Sequence, residues 1–592
     1  MPVAIAPASA PRKVRFKSIC IVLKVSREGV TKCAEIGNAG MEREKLLENA
    51  GGHGVNRVVF RVVRTFFLPF FRIYFRLSTL GREHVPKSGA TIYACNHRSF
   101  LDPFVISALG RRPLYFVAKR ELFEKNRLQT WFLNSLGAFP IDRGHGDNDS
   151  METALRILAR GDGVMIFVEG TRVRPGPLGH PRSGVGRLAL QSGAPVVPVA
   201  VIGTENVRRG WKIYPRKVTV RAGAPLNFPH VEDPSHELAK SVAERVWPCV
   251  EMQWEWLGGT APLRRVGIVG AGGWGTSLAV ALARAGISVQ LGTRREEQAG
   301  EVAAARVNER YLPGVELEAA ISIVEASKMD LQNVDAVLLA VPTRELPAVI
   351  GEMAPRLAAA TGVVVTSKGL VPGSGELPTA YCAARIGERP IACLGGPGHA
   401  ADALEHGASL VIAGGDKDFL AQLRRAFADA NFDVTLTDDT TGVELAGVAT
   451  NAAVLAATTA SVAGPNAAGA AAGKVFSEVA SYASGLGSKP ASWTGLAGVG
   501  DLVASVVAAG GRNRRAGEML AAGVSAQEIR PEIGQVAEAL DSLPLLVEAL
   551  KEAHVRAPAI NALAEVVAGT SDAASFADSV LQPRRVVGAR VV

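Results

Sequence analysis

Within Arg265-Val266-Gly267-Ile268-Val269-Gly270-Ala271-Gly272-Gly273-Trp274-Gly275 a short apolar strand runs straight into a G-x-G-x-x-G turn. Residues 276–285, rich in alanine and leucine, read as the helix that follows. In that setting Gly270 permits a tight turn, Gly272 lets a pyrophosphate approach the backbone at the helix N-terminus, and Gly275 lets helix and strand pack closely. Gly273 and Trp274 complete the loop. A glycine-rich turn without a ligand is the plain alternative. The position between strand and helix favours a dinucleotide site in a doubly wound parallel sheet.

The next strand, 287–291, ends in Gly292-Thr293-Arg294-Arg295, with no acid to hold a ribose diol. Arg294 and Arg295 suit a 2′-phosphate, so NADP(H) is expected, or both NADP(H) and NAD(H). The competing reading makes the two arginines the solvated start of a helix. Further buried strands are expected at 334–341, ending in Pro342-Thr343, and at 363–367, ending in Lys368-Gly369-Leu370; Gly395-Gly396-Pro397 closes another.

Upstream, Gly258-Gly259-Thr260-Ala261-Pro262 is a flexible break, and the charge balance changes sign across it. Residues 1–259 hold 38 Lys+Arg against 22 Asp+Glu; the remainder holds 27 against 34. The first half therefore faces something anionic. It carries no helix-turn-helix, zinc finger or aromatic-rich RNA motif, so no nucleic acid is expected, and membrane phospholipid is the better anion. At 592 residues the chain exceeds a single core. We expect a leader over 1–55, poorly ordered and with Met41 an alternative start, then a domain at 56–257, a linker at 258–264, a dinucleotide domain at 265–440 and an all-α domain at 441–592. Six dispersed cysteines without a C-x-x-C pair fit neither disulfide framework nor metal site and point to a reducing compartment. The apolar run at 19–23 is too short for an export signal.

Residues 56–77 sharpen the membrane reading. On one continuous helix Arg57, Arg61, Arg64, Arg72 and Arg76 would share a wedge of about 120°, with Phe60, Val63, Phe66, Phe67, Phe70, Phe71 and Tyr74 around the rest. Five charges make a transmembrane span costly, whereas a basic and aromatic helix suits the headgroup layer. The alternative is a core helix with a solvated arginine face. Pro69 would kink either one.

Between them lies a third pattern. Thr91-Ile92-Tyr93-Ala94-Cys95 reads as a buried strand delivering Asn96-His97, and Asp102-Pro103 as the N-cap and first residue of a helix at 104–109. With His97 in the turn, the Asp102 carboxylate can fix the imidazole tautomer and leave the other nitrogen to accept a proton. The bland reading is a loop histidine and a capping aspartate. Gly137-Ala138-Phe139-Pro140-Ile141-Asp142-Arg143 follows, then the strand Val164-Met165-Ile166-Phe167-Val168 leading into Glu169-Gly170-Thr171-Arg172, then Pro195-Val196-Val197-Pro198-Val199-Ala200.

These four blocks, over about 56–257, resemble the glycerolipid acyltransferase family, which includes the 1-acyl-glycerol-3-phosphate acyltransferases. The resemblance implies an α/β domain in which His97 is the base and Asp102 its orienting partner. It assigns Arg143, Glu169, Gly170, Thr171 and Arg172 to the acceptor phosphate. No Ser or Cys nucleophile motif is present, so direct attack of a hydroxyl on an acyl thioester fits better than an acyl-enzyme.

Downstream of the dinucleotide turn come Glu444-Leu445-Ala446-Gly447-Val448-Ala449-Thr450-Asn451, Ala497-Gly498-Val499-Gly500-Asp501-Leu502, Gly511-Arg512-Asn513-Arg514-Arg515 and Ile533-Gly534-Gln535-Val536-Ala537-Glu538. With the motifs before them, these resemble the NAD(P)-dependent glycerol-3-phosphate dehydrogenase family over about 264–592. The resemblance implies a Rossmann domain followed by an all-helical substrate domain. It makes Lys368 and Asp501 active-site residues, places Arg512 and Asn513 on the substrate phosphate and Asn451 in the pocket, and sets Glu538 near the cofactor. One departure matters: that family has lysine in L-x-G-x-x-K-N, and this chain has Thr450, which offers neither charge nor a useful proton. Ala401 and Asp402 also stand where lysine and glutamate are usual.

The whole is expected to be an α/β multidomain enzyme of glycerophospholipid synthesis. One half reduces dihydroxyacetone phosphate to glycerol 3-phosphate with NADP(H) or NAD(H). The other acylates glycerol 3-phosphate or 1-acyl-glycerol 3-phosphate from acyl-CoA or acyl carrier protein. The expected location is cytoplasmic, peripheral on the inner face of the cell membrane, with anionic phospholipid as partner, no metal, and a homo-oligomer left open. The alternative keeps the acyltransferase and makes the second half a binder of cofactor or glycerol phosphate with poor turnover. A non-enzymatic membrane scaffold is disfavoured by the presence of both His97 and Asp102.

Overall fold

The computed structural model describes Ala50 and residues 55–119, 121, 123, 127–141, 148–173, 175–209, 211–508, 510–533 and 536–581. Most of the expected leader, Arg143, and the Gly534-Gln535 pair lie outside the described residues. The chain divides into two compact units, Met1–Ala261 and Pro262–Val592.

The first unit is built on a seven-stranded sheet. Its strands are β1 (Ser78–Leu80), β2 (Thr91–Cys95), β3 (Leu114–Lys119), β4 (Ala138–Ile141), β5 (Gly163–Phe167), β6 (Val196–Ile202) and β9 (Thr219–Ala222). They lie in the order β1-β9-β6-β2-β5-β3-β4, parallel except for β6–β9. A small antiparallel hairpin, β7 (Arg208–Arg209) and β8 (Lys212–Ile213), stands apart from it. β2 is buried along its whole length because both faces are covered. Its alternate residues feed two cores: Ile92 and Ala94 pack with Trp247 and Trp254 of the helix His236–Trp256, while Tyr93 and Cys95 pack with Ile106 and Phe116.

Two expectations here need correction. The helix after His97 spans Asp102–Ile106 rather than 104–109, with Leu101 at its N-cap, so Asp102 is not the cap. The amphipathic helix spans Arg57–Tyr74, begins at a capping Asn56, and runs through Pro69. Arg76 lies beyond it at φ +46°, off the helical wheel. Arg64 turns inward to donate to the Ser107 carbonyl at 3.0 Å. The five-arginine wedge therefore shrinks to Arg57, Arg61 and Arg72.

The second unit joins a Rossmann-like sheet to a helical region. The sheet strands are β10 (Arg265–Val269), β11 (Ser288–Thr293), β14 (Ile321–Glu325), β15 (Ala336–Leu339), β16 (Gly362–Val365), β17 (Ile391–Gly395), β18 (Ala408–Gly414) and β19 (Phe432–Thr437); a two-stranded pair, β12 (Val307–Asn308) and β13 (Leu312–Glu316), lies outside it. The order β14-β11-β10-β15-β16-β17-β18-β19 is parallel except at β17–β18. β10 sits where the winding reverses, the switch point at which doubly wound sheets bind ligands. The helical region gathers around Thr440–Ala460, whose Ala446, Gly447, Ala449, Ala452, Ala453 and Ala456 are all buried. Small side chains let neighbouring helices close in. This helix is long and apolar enough to cross a membrane, yet 78% of its most apolar window is buried in the protein, as a core helix should be.

Candidate active sites

In the first unit the parallel register of β2 and β5 sets Cys95 beside Phe167. It thereby brings the loops that leave their carboxyl ends side by side. The His97 ring stacks on Phe167 at 3.9 Å, and its Nδ1 lies 2.8 Å from Asp102 Oδ2. A carboxylate only accepts, so Nδ1 carries the proton and Nε2 presents a lone pair. His97 is 5% exposed and Asp102 fully buried.

Asp102 is held far more completely than a cap would be. Oδ2 also accepts from the backbone N–H groups of Arg98 and Ser99, at 2.6 and 2.7 Å, and Oδ1 accepts from Thr204 Oγ1 at 2.6 Å. It organises the turn before its own helix, which explains why Leu101 takes the cap position. Asn96 clamps the end of β2 to β6: its side-chain amide donates to the Val201 carbonyl and accepts from the Val201 N–H. Sequence reasoning missed Thr204 and Asn96 as supports because each acts on a residue more than a hundred positions away.

Glu169, expected at the acceptor phosphate, is engaged with backbone amides. It is 3% exposed, Oε2 accepts from the His97 N–H at 2.6 Å, and Oε1 accepts from the Gly179 N–H at 2.6 Å. A carboxylate repels phosphate but satisfies amides well, so Glu169 ties the E-G-T-R loop to the backbone of His97. Gly170 adopts φ +68°, and a Cβ there would lie 2.6 Å from the Arg182 side chain. Thr171 and Arg172 are exposed at the loop mouth, and Arg182 is a cation beside them that the motif did not name. Arg98, 6% exposed, lies over Trp254 at 4.6 Å and donates to the Val173 and Gly176 carbonyls, closing the loop from the other side. Burial pushes its guanidinium below the ordinary value, opposed by Glu169, Glu205 and Asp102. Burial also raises the Cys95 thiol far above its usual range, so this nearby sulfur is no nucleophile.

The second unit holds a cleft of about 990 Å³ between its sheet and its helical region. Gly272 caps the helix Gly273–Arg284 and faces open space, which leaves the helix N-terminus free to meet phosphate. Gly275 has no such room: a Cβ would lie 2.0 Å from the Gly270 carbonyl oxygen. Trp274 lines the cleft and packs against Gly398. These residues fit a dinucleotide.

Arg294 lines the cleft, 3.6 Å from Glu345; Arg295 does not, and caps the helix Glu296–Ala305 instead. An acid is nevertheless at hand. Glu325, at the end of β14, pairs in register with Thr293 and lines the same cleft. The neighbouring strand supplies what β11 lacks, a placement invisible without the strand order.

Deeper in the cleft Lys368 Nζ lies 2.8 and 2.9 Å from the two Asp501 oxygens and donates to the Gly396 carbonyl at 3.1 Å. Asp501 is buried, which pushes its carboxyl above the usual range, opposed by Lys368 and His399. Asn451 donates to the Lys368 carbonyl. Glu538 accepts from the Lys368 and Thr343 N–H groups, bridging the two strand ends. Arg512 and Asn513 line the cleft at the start of the helix Arg512–Ala521, and Asn513 also accepts from the Ala539 N–H. Thr450 is fully buried outside the cleft lining, and its hydroxyl has no hydrogen-bond partner among the described residues.

Three family models match the chain: Acyltransferase over residues 76–202, the NAD-dependent glycerol-3-phosphate dehydrogenase N-terminus over 265–420, and its C-terminus over 439–578. Glycerol-3-phosphate dehydrogenase [NAD(P)+] of Geobacillus kaustophilus is 33% identical over 325 residues, 54% of this chain and 94% of that protein. The Thermus thermophilus enzyme is 34% identical over 305 residues, 51% and 93% respectively. The crystal structure of glycerol-3-phosphate dehydrogenase from Coxiella burnetii superposes with TM-score 0.52 at 30% identity, covering 54% of this chain and 99% of that one.

Proposed function

The chain belongs, over its second unit, to the NAD(P)-dependent glycerol-3-phosphate dehydrogenase family and carries an acyltransferase domain in its first, and from that premise we infer that it makes glycerol 3-phosphate and acylates a glycerol phosphate. The observation that carries the acyl-transfer half is the 2.8 Å His97–Asp102 contact, which leaves Nε2 to take a proton.

In the first unit the acceptor is 1-acyl-glycerol 3-phosphate or glycerol 3-phosphate, and the donor is acyl-CoA or acyl carrier protein. His97 Nε2 removes the acceptor hydroxyl proton as its oxygen attacks the thioester carbonyl. Asp102 stabilises the imidazolium that forms, and the thiolate then leaves, taking up that proton. Arg172, with Arg143, holds the acceptor phosphate; Glu169 positions the loop. The helix Arg57–Tyr74 lies on the anionic inner face of the cell membrane. Val58, Val62, Phe66, Phe70 and Ile73 are exposed along it, within about 120° of the wheel, beside Arg57, Arg61 and Arg72.

In the second unit Gly272, Gly273 and Trp274 would hold NAD(P)H, which when bound would supply hydride for reduction of the ketone of dihydroxyacetone phosphate. Arg512 and Asn513 hold the phosphate, and Lys368, oriented by Asp501, faces the developing alkoxide. Arg294 favours NADP(H), while Glu325 keeps a ribose diol acceptable. The burial of Thr450 favours a second reading, in which this unit binds cofactor or glycerol phosphate and turns over slowly. Purified protein is assayed with acyl-CoA and each acceptor, native against His97→Ala, and for NAD(P)H oxidation with dihydroxyacetone phosphate, native against Thr450→Lys. Helical side chains lean towards the N-terminus, so a lysine at 450 would run past Gly447, which abuts the Lys368 side chain. Native turnover that rises by less than tenfold in Thr450→Lys supports the active enzyme. Turnover that appears only in the variant, a gain on the order of 10²- to 10³-fold, supports the binder.

A further inference from the structure

The β7–β8 hairpin stands outside the main sheet of the first unit, and the reactions proposed above make no use of it. Trp211 at its tip is 84% exposed and Ile213 is exposed beside it. From Val207 to Lys217 the sequence carries Arg208, Arg209, Lys212, Arg216 and Lys217 and no acid. The Lys212 ammonium lies 5.5 Å from the Trp211 ring. An exposed indole among cations is costly to leave in water and well suited to the headgroup layer, where the ring meets acyl chains and the cations meet phosphate.

Three contacts tie this hairpin to its surroundings. The Tyr74 hydroxyl, at the end of the amphipathic helix, donates to the Ile213 carbonyl at 3.0 Å. The Arg208 guanidinium lies over the Phe100 ring at 5.6 Å, three residues from His97. At its base the Tyr214 N–H donates to the Val207 carbonyl, directly after the turn Thr204–Asn206 that holds Asp102. From Thr204 to Trp211 the chain can reach at most about 25 Å. The tip is thus tied to the end of the amphipathic helix and stands within about 25 Å of the Thr204 that holds Asp102.

We propose that the Arg208–Ile213 hairpin is a second membrane anchor, seating Trp211 and Ile213 in the same anionic bilayer surface as the helix Arg57–Tyr74 and holding the His97 side of the unit at the lipid interface. The proposal rests on the membrane reading of that helix given above. A second copy of the chain is the less suitable occupant, because a symmetric contact would bring two sets of the same five cations together.

The test uses the full chain and vesicles of phosphatidylcholine mixed with phosphatidylglycerol, with and without brominated acyl chains. Co-sedimentation reports binding, and tryptophan quenching by bromine reports depth. The expected result is that native protein binds, Trp211→Phe lacks part of the quenchable emission, and Trp211→Ala needs about tenfold more lipid for half-binding while oxidising NAD(P)H as before. Native binding with bromine quenching unaltered in Trp211→Phe would overturn the hairpin and leave the helix as the sole anchor. Failure of the native chain to bind either vesicle would overturn the membrane reading itself. Native dimers in sedimentation that Trp211→Ala dissolves, without a change in vesicle binding, would assign the hairpin to a second copy.

Discussion

Replacing Asp102 by asparagine isolates the charge at the centre of the acyl-transfer site. Asparagine has nearly the same shape and can keep its oxygen towards the N–H groups of His97, Arg98 and Ser99. Its NH₂ would then meet Thr204, whose hydroxyl can turn to accept. The fold should survive. The lost term is the attraction between carboxylate and imidazolium, which exists only once His97 has taken the proton. For charge centres about 4 Å apart in an effective dielectric of about 20 it is about 4 kcal/mol. Because it acts on the transition state, the expected loss is about 10³-fold in kcat with the acceptor KM nearly unchanged. Release of free thiol from acyl-CoA measures it directly, with His97→Ala as the reference for full loss. A kcat within tenfold of native, in a variant that melts as native does, would refute the reasoning and reduce Asp102 to a turn residue.

Two further predictions follow from buried carboxylates. Glu169→Gln should lower kcat for acyl transfer about tenfold and stability by about 1–3 kcal/mol, since one of two buried amides loses its acceptor; an unchanged kcat with a raised acceptor KM would restore Glu169 to the phosphate site. Glu444, buried against Thr379, is pushed up to about 7 by loss of hydration, which outweighs the two bonds Thr379 donates. A folded value above the unfolded one stabilises fully below about pH 4.5, and that contribution is lost as pH rises through 7, roughly 3 kcal/mol in all. The second unit should therefore melt lower at pH 7.5 than at pH 5.5, and Glu444→Gln should flatten that trend; a parallel pH dependence in both proteins would exclude Glu444 as its source.

The difference between Glu169 and His97 shows where sequence reasoning stops. Both stand at the end of an apolar strand within a recognisable motif, and their chemistry suggested a site. For His97 the partner is five residues away, within reach of a local argument. For Glu169 the partners are the amides of His97 and Gly179, and the first is brought near by the register of β2 on β5. The same holds for Glu325, which enters the dinucleotide cleft because β14 pairs with β11, and for Glu538, which spans two strand ends from a distant helix.

The amino-acid sequence alone determined the two-part organisation, the strand-turn-helix at Gly270 and which side chains are candidates for the chemistry. Those properties follow from local periodicity, from the sterics of glycine and from side-chain chemistry. Only the tertiary structure decided which way the side chains act: that Asp102 serves the turn rather than its helix, that Glu169 accepts from backbone amides, that Thr450 is sealed away from the cleft and that Trp211 stands in the open. Each of those outcomes depends on which strand or helix lies alongside, and hydrogen-bond partners and burial are set by neighbours in space that a one-dimensional pattern does not contain.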